Sequence, residues 1–376
     1  MKIYTLKPLL VVLLAVLIPK IRQFYVVSIK HKVTESIALS VITVVFLTAC
    51  SSQRFPVSDH SNGSIFYNED LTARTENNFF DILKWKLGSD PKEWPENLND
   101  NLTPDFTQPL KNSVGAVTFI NHATEFVQFE KLNLITDPVF SERVSPFSWI
   151  GPKRHRKPGA SIAELPKVDL VVLSHNHFDH MDIPSLVAID KKDSPTFIVP
   201  LGNKKYLEDN GIQDVVELDW WQHYSTKDGS VITLVPMQHW STRGLFDRFE
   251  ALWGGYVIES SGLKVLFAGD TGYNRHFKEV EAKFGSMDLS LLPIGAYEPR
   301  WLMKDQHMNP TDAIQAHVDL KSKLSVGMHF GTFQLTDEGI EEPVTDLAMA
   351  LAAEKLDPSE FLAPKNGQTI LFGGAQ

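Results

Sequence analysis

The chain has 376 residues, of which 43% are hydrophobic and 22% charged, and a formal net charge of −10. That length holds one large or two modest domains, and the apolar content excludes a disordered chain. The acidic balance argues against a general nucleic-acid binder, whose affinity rests on Lys and Arg neutralising phosphates. The 23 Phe and 8 Trp read as large cores or, alternatively, as an apolar, lipid-facing surface.

In chain order, an apolar run from Leu9 to Ile18 comes first. Lys30, His31 and Lys32 follow, then a second apolar run from Ser36 to Ala49 that ends in Leu47-Thr48-Ala49-Cys50. A basic stretch, an apolar stretch too short for an ordinary span of about 20 residues, and a terminal Cys make the layout of a bacterial lipoprotein signal peptide. The expectation is a chain lipid-anchored through Cys50 in the bacterial cell envelope, on the periplasmic face of the outer membrane in a Gram-negative cell. A signal peptide does not normally carry some thirty residues before its basic stretch, so residues 1 to about 28 point to a translation start downstream of Met1. Cys50 is the single cysteine, so no intramolecular disulfide forms. The expected division is a leader over 1–50, a tether over 51–78 without periodicity, and a folded domain over 79–376.

Phe79–Leu87 reads as a short helix docked by Trp85 and Trp94. From Val114 the pattern becomes short strands with turn punctuation: Val114–Ile120, Glu125–Glu130, Leu132–Thr136, Asp169–Leu173, Thr196–Val199 and Val215–Leu218. Val231–Val235, Tyr256–Glu259, Lys264–Ala268, Leu289–Pro293, Val326–Met328 and Thr369–Phe372 follow. Helices are expected at Pro184–Ile189, Lys204–Asn210, Arg275–Phe284, Pro310–Val318 and about Val344–Glu354, with Pro310 at a helix start where its missing N–H costs nothing. The alternation implies a layered α/β architecture. It leaves open whether the sheet is doubly wound or two sheets are flanked by helices.

The densest chemical signal is Ser174-His175-Asn176-His177-Phe178-Asp179-His180. Imidazole and carboxylate are standard zinc ligands, and four of them after the buried strand Asp169–Leu173 are hard to explain as packing. A sharp loop can aim His175 and His177 at one metal and Asp179 and His180 at a second. His239, Asp270 and His329 each follow an apolar strand, where open α/β sheets collect functional groups, and they bring the count to that of a dinuclear site.

With its later His, Asp and His, the run His-x-His-x-Asp-His resembles the metallo-β-lactamase fold. Asp137-Pro138-Val139-Phe140, Gly151-Pro152-Lys153-Arg154, Gln238-His239-Trp240, Ala268-Gly269-Asp270-Thr271-Gly272-Tyr273, Leu292 through Trp301, and Gln306-His307-x-Asn309-Pro310 narrow the resemblance. They point to the N-acylphosphatidylethanolamine-hydrolysing phospholipase D family, from about Phe79 to about Leu335. The resemblance implies a four-layer αββα sandwich and two Zn2+ ions, with iron or manganese also compatible with His and Asp ligands. One metal would be held by His175, His177 and His239, the other by Asp179, His180 and His329, with Asp270 bridging. Asp179, Asp270 and His307 would serve catalysis, His307 beside the reacting phosphate. His122 follows Asn121 where relatives usually have Gly, and is expected outside the ligand set.

The activity so implied is metal-dependent hydrolysis of a phosphodiester by a metal-bridging hydroxide, which would cleave N-acylphosphatidylethanolamine-like lipids to phosphatidic acid and N-acylethanolamine. Arg154, Arg156 and Lys157 would meet headgroups or form a solvated loop. Trp220, Trp221, Trp240 and Trp301 would line an acyl groove or pack a core. The rival readings are a lactone hydrolase on the same fold and a non-catalytic surface lipoprotein. Substrate and membrane are the expected partners, and nucleic acid is not.

Overall fold

The computed structural model describes residues 54–70, 79–108, 110 and 114–374. The leader and Cys50 lie outside the described residues. The strands, in chain order, are β1 (Val57–Ser58), β2 (Ser61–Asn62), β3 (Val114–Asn121), β4 (Thr124–Gln128), β5 (Asn133–Thr136), β6 (Leu170–Val172), β7 (Thr196–Pro200) and β8 (Val215–Leu218). They continue with β9 (His223–Ser225), β10 (Val231–Val235), β11 (Gly255–Ser260), β12 (Leu263–Phe267), β13 (Leu289–Pro293), β14 (Ser325–Met328), β15 (Phe361–Leu362) and β16 (Thr369–Gly373). The helices are α1 (Phe79–Gly88), α2 (Ile183–Asp193), α3 (Lys204–Asp209), α4 (His276–Phe284), α5 (Arg300–Met303), α6 (Pro310–Asp319) and α7 (Glu342–Glu354).

Among the described residues the long strands form two seven-stranded sheets, ordered β16-β3-β4-β5-β6-β7-β8 and β15-β14-β13-β12-β11-β10-β9. Each is half antiparallel and half parallel: pairing changes at β5 in the first sheet and at β12 in the second. Period-two alternation sorts the side chains of the first sheet. Leu134, Leu170, Val172 and Ile198 enter the cluster shared with the second sheet. Ile135, Val171, Leu173, Phe197 and Val199 face Leu186 and Ile189 of α2 and Leu207 of α3. Phe277 of α4, Ile314 of α6 and Leu347 of α7 join the inter-sheet cluster from the other side. The result is the expected four-layer αββα sandwich.

The sequence reading missed β9 and β15, which are edge strands of three and two residues, too short for a period. It also missed the four-residue α5. The tether expected over 51–78 is corrected over 54–70. Phe66 is 1% exposed in the main core, its N–H donates to the Phe249 carbonyl at 2.9 Å, and His60 stacks on Trp220 at 4.4 Å. His60 stands alone in a polar stretch and Phe66 belongs to the three-residue run Ile65-Phe66-Tyr67, too short to leave a periodic trace.

Candidate metal centre

The functional side chains stand where strands end. β6 delivers the loop His175–His180, β10 leads to His239, β12 to Asp270 and β14 to His329. His122 occupies the β3–β4 turn with a left-handed φ of 52°, and His329 likewise has φ 61°. The His329 N–H donates to the His122 carbonyl at 2.7 Å, which ties the two sheets together across the site. His307 lies just before α6. Asn309 caps that helix in a capping box with Asp312, worth about 1 kcal/mol. Arg300 donates to the His307 carbonyl at 2.9 Å and to Asp312 at 2.6 Å, so the cap and Arg300 together fix the His307 backbone.

The seven expected ligands form one buried cluster. His175, His177 and His239 make one group, and His122, Asp179, His180 and His329 another, with ligand atoms in each within 4.8 Å of one another. Asp270 Oδ2 lies between them: 3.2 Å from Nε2 of both His180 and His329, 3.7 Å from His239 Nε2, and 3.9 Å from His175 Nε2. Asp179 Oδ2 sits 3.5 Å from His180 Nε2, 3.4 Å from His329 Nε2 and 3.1 Å from His122 Nε2. His307 Nδ1 is 3.9 Å from Asp270 Oδ2.

Hydrogen bonds on the far side of three of the rings assign their protons. Asp137 is fully buried; it accepts from the Ser174 N–H at 2.7 Å, the Ser174 hydroxyl at 2.5 Å and His180 Nδ1 at 2.6 Å. The Ser174 oxygen, its proton given to Asp137, accepts from His175 Nδ1 at 2.8 Å. His239 Nδ1 donates to the Gln306 carbonyl at 3.0 Å. In neutral imidazoles this leaves lone pairs on Nε2 of His175, His180 and His239. Two of these converge on His177 Nδ1, at 2.8 and 3.3 Å, and the third faces the Asp270 and Asp179 carboxylates. His180 Nε2, His329 Nε2 and Asp270 Oδ1 have no hydrogen-bond partner despite burial. A proton on His177 Nδ1 can serve only one of the two lone pairs that meet there, and the third faces carboxylates; the site calls for a cation, and the donor set of imidazole and carboxylate fits a divalent metal.

The ionisation of the site states the same demand. Burial lowers the pKa of His180, yet Asp270, Asp179 and Asp137 outweigh it and hold it well above the ordinary value. Burial lowers His329 as well, but the Asp270 charge and the nearby Asp179 carboxylate outweigh it and raise the value to about 9. Burial raises the pKa of Asp270 and Asp179, but the adjacent imidazoles keep both carboxyls well below the usual range. Without a metal, protons on His180 and His329 would balance the two carboxylates.

Above the metal cluster opens a cleft of about 600 Å³ lined by His177, Phe178, Asp179, Trp240, Leu245 and Leu335, among others. Exposed Phe147 (54%) and Leu245 (91%) line it; Trp149 (73%) has its ring 5.7 Å from that of Phe147, and Ile150 (51%) and Phe246 (92%) follow on the same two loops. Of the four tryptophans, Trp240 reaches the cleft, its ring 4.3 Å from that of His177. Trp301 is partly exposed under Lys84, and Trp220 is a core residue bonded to the Trp253 carbonyl. The headgroup and solvated-loop readings of Arg154 and Arg156 are both corrected. The two are 4% and 7% exposed: Arg154 bonds Asn121 and the Val139 and Ser141 carbonyls, and Arg156 bonds Asp100 and Glu341. Asn121 is thus a strut of its turn. Asp137 and Ser174 were not recognised as supports of the ligands, although Asp137 follows a strand as the ligands do.

A β-lactamase superfamily domain matches residues 132–330. The chain is 36% identical over 295 residues to N-acyl-phosphatidylethanolamine-hydrolyzing phospholipase D 1 of Caenorhabditis elegans, covering 73% of this chain and 83% of that one. It is 38% identical over 261 residues to the mitochondrial N-acyl-phosphatidylethanolamine-hydrolyzing phospholipase D of Saccharomyces cerevisiae, covering 68% and 55%. Among solved structures, a metallo hydrolase from Ignicoccus hospitalis matches with a TM-score of 0.52 at 21% identity, over 70% of this chain and all of that one, a likeness of fold.

Proposed function

The chain belongs to the β-lactamase superfamily as a metal-dependent hydrolase with phospholipase D relatives, and on that premise we propose a dinuclear zinc phosphodiesterase of phospholipase D type. Its substrates are N-acylphosphatidylethanolamine-like lipids and its products phosphatidic acid and N-acylethanolamine. The observation that carries the reading is an Asp270 oxygen 3.2–3.9 Å from both imidazole groups, beneath a cleft lined by exposed Phe147 and Leu245, with Trp149 and Phe246 on the same two loops. A metal pair needs the shared carboxylate, and acyl chains favour those apolar side chains.

His175, His177 and His239 would hold one ion, Asp179, His180 and His329 the other, and Asp270 would be shared between them. Bound there, zinc supplies Lewis-acid charge for the phosphoryl oxygens and a water of lowered pKa. The protein's part is to place the phosphorus against that pair and to keep competing water away. Burial lowers the His307 pKa to about 4, so its imidazole is neutral at pH 7. It serves as a hydrogen-bond donor to a phosphate oxygen rather than as a stored proton. Asp137 and Ser174 keep Nε2 of His180 and His175 turned inward. The reading extends to a lipid surface reached through Cys50 at the bacterial envelope; a mature N-terminus at an unmodified Met1 overturns that extension.

The test is turnover by the purified, zinc-loaded protein on N-acylphosphatidylethanolamine vesicles beside an acyl lactone, read by mass spectrometry. Phosphatidic acid and N-acylethanolamine in equal amounts are expected. Turnover of the lactone alone overturns the substrate assignment.

A further inference from the structure

The arm of residues 55–70 lies upstream of residues 132–330, which the superfamily domain matches, yet it reaches the metal-ligand loop. Asn68 is 7% exposed. Its Nδ2 donates to the His239 carbonyl at 2.9 Å, and its Oδ1 accepts from the His239 N–H at 3.0 Å and from Trp253 Nε1 at 3.2 Å. We propose that Asn68 is a positioning residue of the metal centre, which makes the N-terminal arm a working part of the site. The inference rests on the reading of His239 as a metal ligand.

β10 ends at Val235, so the ladder gives the His239 peptide groups no partner, and a buried peptide group without one is costly. A carboxamide offers one donor side and one acceptor side, as a neighbouring strand would. The arm is anchored on both flanks of Asn68. Upstream, Phe66 is in the core and His60 Nε2 bonds Asp219 at 2.8 Å. Downstream, Asn274 donates to Asp70 at 3.1 Å and also to Gln238, the residue before His239. With its backbone clamped by Asn68 and its Nδ1 pinned to the Gln306 carbonyl, the His239 ring can set Nε2 in one place. That place is 3.3 Å from His177 Nδ1 and 3.7 Å from Asp270 Oδ2. Metal–ligand distances hold to within about 0.2 Å, so a loosened ligand backbone costs affinity.

The test uses the full chain stripped of metal and titrated with Co2+, followed by its visible absorption and by metal content after gel filtration. Asn68→Ala removes both functions of the carboxamide. Asn68→Asp keeps the acceptor and loses the donor. The expected result is a loss of affinity for one metal equivalent, about 10- to 100-fold for a residue supporting a ligand, smaller for Asp than for Ala, with an altered absorption band. Leu351→Ala, a core change on α7 at a residue with no bond to any candidate ligand, lowers thermal stability and keeps wild-type metal affinity. If the Ala variant fails to fold, the Asp variant decides. Wild-type affinity and spectrum in either folded Asn68 variant overturn the proposal, as does an affinity loss that the Leu351 variant shares. A wild-type chain that binds no divalent metal overturns the reading of the site itself, a separate outcome.

Discussion

At the residue scale the site is a problem of charge balance. Asp270 Oδ2 has imidazole nitrogens on several sides and sits 2% exposed. Asp270→Asn keeps the shape, removes the charge and puts an N–H where an oxygen lone pair would meet the metal. It is expected to lose most turnover and at least one metal equivalent; full metal occupancy with unchanged turnover counts against the bridging role. His307 differs because it is not one of the seven expected ligands yet stands beside them, its side chain 13% exposed and its Nδ1 3.9 Å from Asp270. His307→Ala is expected to slow turnover about 100-fold or more, the usual loss for one donor to a developing charge, while metal content stays intact. Loss of metal would make His307 a ligand instead. The candidate ligands were legible in the sequence because each is a metal-capable residue shortly after an apolar strand, and the fold gathers them into one cluster. Asp137, Ser174 and Asn68 were not. Their work consists of hydrogen bonds to residues far along the chain, 171 positions away for Asn68 and His239, and no local pattern encodes that.

At the element scale, the loops around residues 145–150 and 242–247 carry the exposed apolar side chains. Trp149 and Phe246 are exposed outside the cleft lining, where they contribute nothing to the core. If they meet lipid, burying the two side chains contributes about 3 kcal/mol, or roughly 100-fold in partitioning. The double variant Trp149→Ser and Phe246→Ser is therefore expected to bind vesicles about 100-fold more weakly, by sedimentation, with unchanged turnover of a water-soluble phosphodiester. Equal vesicle binding would remove lipid contact as the reason for their exposure. Most elements were legible from periodicity and punctuation: β8, β10 and β13 fall at the expected bounds, and α6 starts at its Pro. The short β9, β15 and α5 were not, because they exist through pairing or packing with neighbours rather than through a pattern of their own.

At the scale of the whole molecule, the N-terminal arm joins the body through groups that titrate. Burial, with the Glu279 carboxyl second, pushes the Glu69 pKa up to about 7. Because the folded value exceeds the ordinary 4.5, the folded state holds the proton more tightly, and stability falls as pH rises from about 4.5 through 7. Glu69→Gln removes that penalty. It is expected to raise the thermal midpoint at pH 8 and leave it unchanged at pH 4, by differential scanning calorimetry; an equal shift at both values would assign the effect to packing. The sequence by itself determined the chemistry: strand-end His and Asp residues that suit a divalent metal, and the alternation that builds layered sheets. Ligand type and side-chain period are local properties, so they are written locally. The tertiary structure alone decided which imidazole nitrogen faces inward, that buried Arg154 and Arg156 are struts, and that the presumed tether is a docked arm clamping His239. These depend on partners brought together from distant parts of the chain, and burial and hydrogen bonding acquire their values only once the two sheets have closed on each other.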